Sequence, residues 1–174
     1  TTATVDRPGA FTQNLTAVTS YTSSNNSYQS VADITALVQA QGSGAYRVSG
    51  VNTAALANVN QAVNFAGWWM VVFYSLGTDP LRSLALFDGF DPVSAGNNQN
   101  TTLSGFLVPP AFGSAKLGVV AFEGDNTLTG DGFLFNGATL SNAQNPADNF
   151  FNATRSFLGN PVSVAGDLPQ LTGT

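Results

Sequence analysis

Glu123, Asp125 and Asp131 fall within the stretch FEGDNTLTGDGF, three carboxylates around a glycine-rich turn. Calcium takes about six to eight oxygen ligands, and loop carboxylates, Asn side chains and backbone carbonyls can supply them. The spacing is not that of an EF-hand, whose Asp-x-Asp/Asn-x-Asp/Asn-Gly frame closes on a Glu. Asp88 and Asp91 flank a second turn at FDGFDP. Asp and Gly also build turns and cap loops without any ion. The chain is therefore expected to carry no cofactor, with calcium at Glu123, Asp125 and Asp131 as the alternative.

Other chemistries fare worse. A glycosidase needs two carboxyl groups facing across a sugar-sized cleft, and Glu123 is the only glutamate. Aromatic rings line such clefts, and Trp68 and Trp69 are present. Neighbouring residues on a strand point to opposite faces, however, so only one of the two rings can stack on a given sugar. The chain has no histidine and no cysteine. That removes the commonest general base and metal ligand, and also thiolate nucleophiles, Fe–S clusters and thiolate zinc sites. A serine nucleophile would need Lys116, the sole lysine, which stands in no Ser-x-x-Lys frame. Lys116 could instead form an intramolecular isopeptide link to an Asn, assisted by Glu123, or lay its stem along a sheet with its ammonium in water. The expectation is a protein without catalysis.

The surface chemistry points outward from the cell. Charged residues make up 9% of the chain and hydrophobic residues 43%, where charged residues usually reach about 25%. Asn, Ser, Thr, Gln and Gly provide the polarity, leaving little charge repulsion to keep copies apart. The net charge is −5, and Arg7, Arg47, Arg82, Lys116 and Arg155 are scattered. No basic stripe faces a phosphate backbone, so a nucleic-acid partner is not expected. Asn14, Asn25, Asn100 and Asn152 each open an Asn-x-Ser/Thr sequon, a glycosylation acceptor where the host modifies secreted chains.

The elements that must position these groups read as short strands. FAGWWMVVFYSL is too short to span a bilayer as a helix, which takes about 20 residues. Its aromatic and β-branched residues favour a strand, apolar on both faces. GTDP follows as a turn, and LRSLALFDGF as a second strand, giving an expected hairpin over Ala66–Phe90. AYRVSGV, LSGFLV, AKLGVVAFEGD and GDGFLFNGATL also read as strands, and Asn136-Gly137 is a strong hairpin-turn dipeptide. SVADITALVQAQGSG predicts a helix with Asp33 as N-cap and Gly42 or Gly44 at its end. A second short helix is expected after Pro146. The fold class is all-β: a β-sandwich, jelly-roll-like, with one or two short helices. Residues 1–174 are expected to form a single domain, with 1–12 as an extended N-terminal arm.

The order of VADITALVQAQGSGAYRVSGV, AGWWMVVFYSLGTDPLRSLALFDGF, LGVVAFEGDNTLTGDGFLFNG and NFFNATRS resembles an uncharacterised family of secreted bacterial surface domains found in adhesin-like proteins. The resemblance covers roughly residues 28–158 and is most specific from Gly67-Trp68 to Phe90. It implies an extracellular β-rich module and no catalytic residues. The resemblance implies further β-strand material after the segment matching GDLPQLTGT, and the expectation drawn from it is an open groove that a neighbouring copy could fill by strand addition.

The function expected is structural: a secreted, cell-surface subunit of a filament or layer, assembled partly by β-strand complementation into a homo-oligomer or polymer. Ala3, Val5, Phe11 and Leu15 are the expected anchors of a donated strand. The alternative is a calcium-dependent adhesin or carbohydrate-binding module that takes surface glycans through Trp68 or Trp69.

Overall fold

The structure, a computed structural model, describes residues 2–23, 26–53, 64–111, 113–122 and 124–162. Those residues are mostly strands and loops, with one short helix and no barrel. Two units are distinguished, Thr1–Ala57 with Trp68–Ala115, and Asn58–Gly67 with Lys116–Thr174.

The first unit is organised by the N-terminal segment. β1 (Thr2–Arg7) runs antiparallel to β2 (Phe11–Thr16) on one side and to β5 (Arg47–Ser49) on the other. Pro8 and Gly9 make the β1–β2 turn. Pro8 presets its own φ, Gly9 supplies a φ of 77°, and Ala10 N–H donates to Arg7 O at 2.9 Å, which is type II turn chemistry. Alternation then sorts the side chains. Thr2, Thr4 and Asp6 share a face with Thr12, Asn14 and Thr16, while Ala3, Val5 and Arg7 share the other with Phe11 and Leu15. Val5, flanked by Gln13 and Val48, is the buried apolar residue of the described structure at 1% exposure. Within the stretch 1–12 expected as an extended arm, Thr2–Arg7 are the central strand of a sheet and Phe11 and Thr12 open its neighbour, because the alternating residues of β1 match two partners within the chain.

β3 (Thr19–Thr22) and β4 (Tyr28–Val31) form a separate antiparallel pair, with the Ser20 and Ser30 hydroxyls 3.0 Å apart. α1 (Thr35–Gln41) follows. Asp33 does not sit at the N-cap, which is Ile34; it acts one residue earlier, its Oδ1 accepting the Thr35 N–H at 2.8 Å. The helix stops at Gly42, whose φ of 66° returns its N–H to Val38 O at 2.8 Å. Arg7 covers the exposed carbonyl end: Nη2 donates to Gln41 O at 2.9 Å and Nη1 to Ser43 O at 2.7 Å. Its guanidinium also lies 5.8 Å from the Phe11 ring centre and 5.9 Å from that of Tyr46. One cation therefore ties β1 and β2 to the negative end of the helix dipole.

In the second unit, β6 (Phe133–Phe135) and β7 (Ala138–Leu140) pair through Asn136 and Gly137, at φ 49° and 80°. Positive φ at both central residues is the type I′ geometry that an Asn-Gly dipeptide favours. β8 (Ser156–Phe157) and β9 (Asn160–Pro161) pair across Leu158 and Gly159. Phe133, Phe150 and Phe151 cluster with ring centres 5.2–5.9 Å apart.

Three expectations are corrected. Over Ala66–Phe90 the turn forms, with Asp79 N–H donating to Leu76 O at 2.9 Å, but no ladder joins its flanks. LSGFLV and AKLGVVAFEGD likewise carry no ladder among the described residues. A strand apolar on both faces gains its stability from layers on both sides, and the short described sheets do not provide them. After Pro146 there are turns in place of a helix, because Asn side chains there compete for the backbone groups a helix needs.

Candidate functional site

From Trp68 to Leu76 the first unit presents an extended, unladdered apolar ribbon. Every large apolar side chain of the ribbon is exposed, from 36% at Met70 to 75% at Tyr74. Successive residues of an extended chain face opposite ways, so both faces of the ribbon are open. Met70, Val72 and Tyr74 line a cleft of about 360 Å³ together with Val38 of α1 and Tyr46. Trp68 and Trp69 open the ribbon, adjacent and both exposed. Beyond the turn, Leu81, Leu84, Leu86 and Phe87 are exposed as well, and Phe87 meets Phe106 edge-on at 6.2 Å.

The sequence-predicted assembly anchors lie elsewhere. Ala3 pairs with Leu15, Val5 with Gln13 and Arg7 with Phe11, so Ala3, Val5, Phe11 and Leu15 share one face of a single sheet. On the opposite face, Asp6 binds Arg47. Arg47 Nε donates to Asp6 Oδ1 at 3.0 Å, and Nη2 reaches Oδ2. The Arg47 hydrogen bond holds the Asp6 carboxyl below the usual carboxylate range and raises Arg47 in turn. With Thr4, Thr12, Val48 and Ser49 this pair lines a shallow cleft of about 420 Å³. Its two charges are matched to one another.

The expected cluster in FEGDNTLTGDGF falls partly outside the described residues. Glu123 lies outside the described residues, and among the described residues no three acidic side chains group to hold a metal. Asp125 is half-buried, and Asp131 Oδ1 accepts the Phe151 N–H at 2.8 Å. Lys116 Nζ lies over the Phe157 ring, 5.2 Å from its centre, which holds the ammonium on an aromatic face.

The sequons differ in access. Asn14 is exposed on β2, its Oδ1 accepting the Thr4 hydroxyl at 3.2 Å, and Asn100 is exposed. Asn152 is engaged: Nδ2 donates to Gln144 O at 2.9 Å and Oδ1 accepts the Thr154 hydroxyl at 2.6 Å. The nitrogen a glycan would need is thus held inward. Asn25 lies outside the described residues.

A knot of amides in the second unit escaped the sequence reading. Asn145 is 8% exposed. Its Nδ2 donates to Phe150 O and Thr154 Oγ1, both at 2.9 Å, and its Oδ1 accepts the Ser156 hydroxyl at 2.7 Å. Asn142 Oδ1 accepts the N–H groups of Gln144 and Asn145. Asn149, also 8% exposed, donates from Nδ2 to Asn126 O at 2.9 Å. The signal was the density of Asn in SNAQNPADNFFNAT, since Asn bonds local backbone wherever regular structure is absent.

No helix among the described residues is long and apolar enough to cross a membrane. Comparison of the chain with protein-family models, with curated proteins and with solved structures finds no match.

Proposed function

We propose that the chain is a non-catalytic, secreted structural subunit that assembles with copies of itself into a surface filament or layer by β-strand complementation. The observation that carries this reading is the ribbon Trp68–Leu76, apolar and exposed on both faces without a ladder partner among the described residues. Unpaired extended backbone is a template for another strand, and a contiguous apolar surface marks an interaction site. The donated and accepting element is this ribbon, because the N-terminal strand already has two partners in its own sheet. Pairing between copies supplies the missing layers, so that the β-sandwich, jelly-roll-like, is completed in the assembly. The scarcity of charge removes the repulsion that keeps soluble proteins apart. The order of motifs around Gly67–Phe90 supports a bacterial cell-surface setting.

The test substitutes lysine on one face of the ribbon, Val71→Lys with Phe73→Lys, and compares it with the parent by light scattering coupled to size exclusion and by negative-stain microscopy. The parent is expected to form oligomers or filaments and the variant a monomer with the same circular dichroism. A strictly monomeric parent, or assembly undiminished in the variant, overturns the proposal. A second reading, an adhesin or carbohydrate-binding module, draws on the exposed Trp68 and Trp69 rings. Binding on a glycan array that is lost in Trp68→Ala or Trp69→Ala would favour it.

A further inference from the structure

Asn149 Oδ1 is buried and has no hydrogen-bond partner among the described residues. The orientation of the amide is set by its other end: Nδ2 donates to Asn126 O at 2.9 Å, and reversing the group would set two oxygens together. An acceptor left bare in the interior is costly, and native structures give such groups a partner. Asp131 forms a parallel bridge with Asn149, which brings the two side chains out side by side on one face. The Asp131 carboxylate is anchored there by Phe151 N–H on Oδ1, and its Oδ2 accepts no hydrogen bond among the described residues. Gly130 N–H donates to Asp148 O at 2.7 Å, holding the two segments together at this point. Asp125 adjoins Asn126 and Asp148 adjoins Asn149 in the chain, and Arg155, six positions after Asn149, is the basic residue of the same stretch.

The geometry points to a calcium ion bound between Asp131 Oδ2 and Asn149 Oδ1 in the second unit. Calcium accepts one carboxylate, an amide oxygen, backbone carbonyls and waters in irregular geometry, whereas magnesium demands a near-ideal octahedron and keeps most of its waters. One firmly placed carboxylate makes a weak site, of the class used by extracellular modules, with dissociation constants of about 0.1–1 mM. This ligand pair is not the three-carboxylate set that the sequence suggested. It is independent of the assembly proposed above, which rests on the first unit.

The test is thermal unfolding and calorimetric titration of the full chain with CaCl2 at about 5 mM, above that range, against EDTA and against MgCl2. The parent is expected to gain several degrees in Tm with calcium and little with magnesium, since a ligand of the native state raises its stability by mass action. Asp131→Asn keeps an oxygen for Phe151 N–H and is expected to lose the calcium response while remaining folded. A parent indifferent to calcium overturns the assignment and leaves a buried water at Asn149. An Asp131→Asn variant that responds as the parent does overturns it equally.

Discussion

Asp6 and Arg47 are separated by 41 positions in the chain and meet across β1 and β5. Two parallel donors from one guanidinium to one carboxylate make a directional pair, the geometry for which Arg is suited and Lys is not. The Arg47 side chain is open to solvent at 64% exposure while that of Asp6 is at 17%, so the worth of the pair lies in register more than in energy. Its pH dependence has a definite sign. The folded-state value of Asp6 is depressed, so its contribution is fully present above the unfolded value of about 3.9 and fades as pH falls through the folded value. Asp33 acts in the same direction, its carboxyl lowered by hydrogen bonds from Thr35. The expected outcome is that Asp6→Asn flattens the loss of stability between about pH 5 and pH 2, measured by urea titrations followed by circular dichroism. An unaltered slope in that variant would show that other carboxyls carry the acid response.

At the scale of elements, β1 is the member on which the first sheet depends. It supplies Val5 and hydrogen-bonds on both edges. Through Arg7 it also holds the C-terminal carbonyls of α1. Deleting residues 1–12 therefore removes a central strand, its apolar residue and the helix cap together. Each loss of this kind costs about 1–3 kcal/mol, a large share of the 5–15 kcal/mol that holds a domain together. The truncated chain is expected to lose the far-ultraviolet signal of the sheet and to unfold at lower urea. A truncation as stable as the parent would mean that β1 is dispensable.

The whole molecule couples an amide-rich, charge-poor surface to an uncovered apolar ribbon. Association through such a surface is driven by removing apolar area from water, and salt does not screen it. The oligomers proposed above are therefore expected to persist at about 1 M NaCl, where the Debye length falls to about 3 Å, and to grow in sulfate, which strengthens apolar burial. Dissociation in NaCl, followed by light scattering, would assign the contact to charges instead.

What the sequence determined by itself was local. Asn136-Gly137 specified a type I′ turn, and Gly42 a helix stop, because positive φ is cheap for those residues wherever they stand. The alternation in AYRVSGV marked β5, and the predominance of strand over helix followed from β-branched and aromatic composition. The candidate ion site was legible only in part, through Asp131; Asn149 became its partner because a bridge joins segments 18 positions apart. Tertiary structure alone decided that residues 2–7 form a central strand, that Asp6 meets Arg47, and that the turn at Leu76–Asp79 joins flanks without a ladder. The reason is physical: a turn or a cap is settled by the dihedral preferences of a few adjacent residues, whereas strand pairing and burial depend on which distant segments arrive to share them.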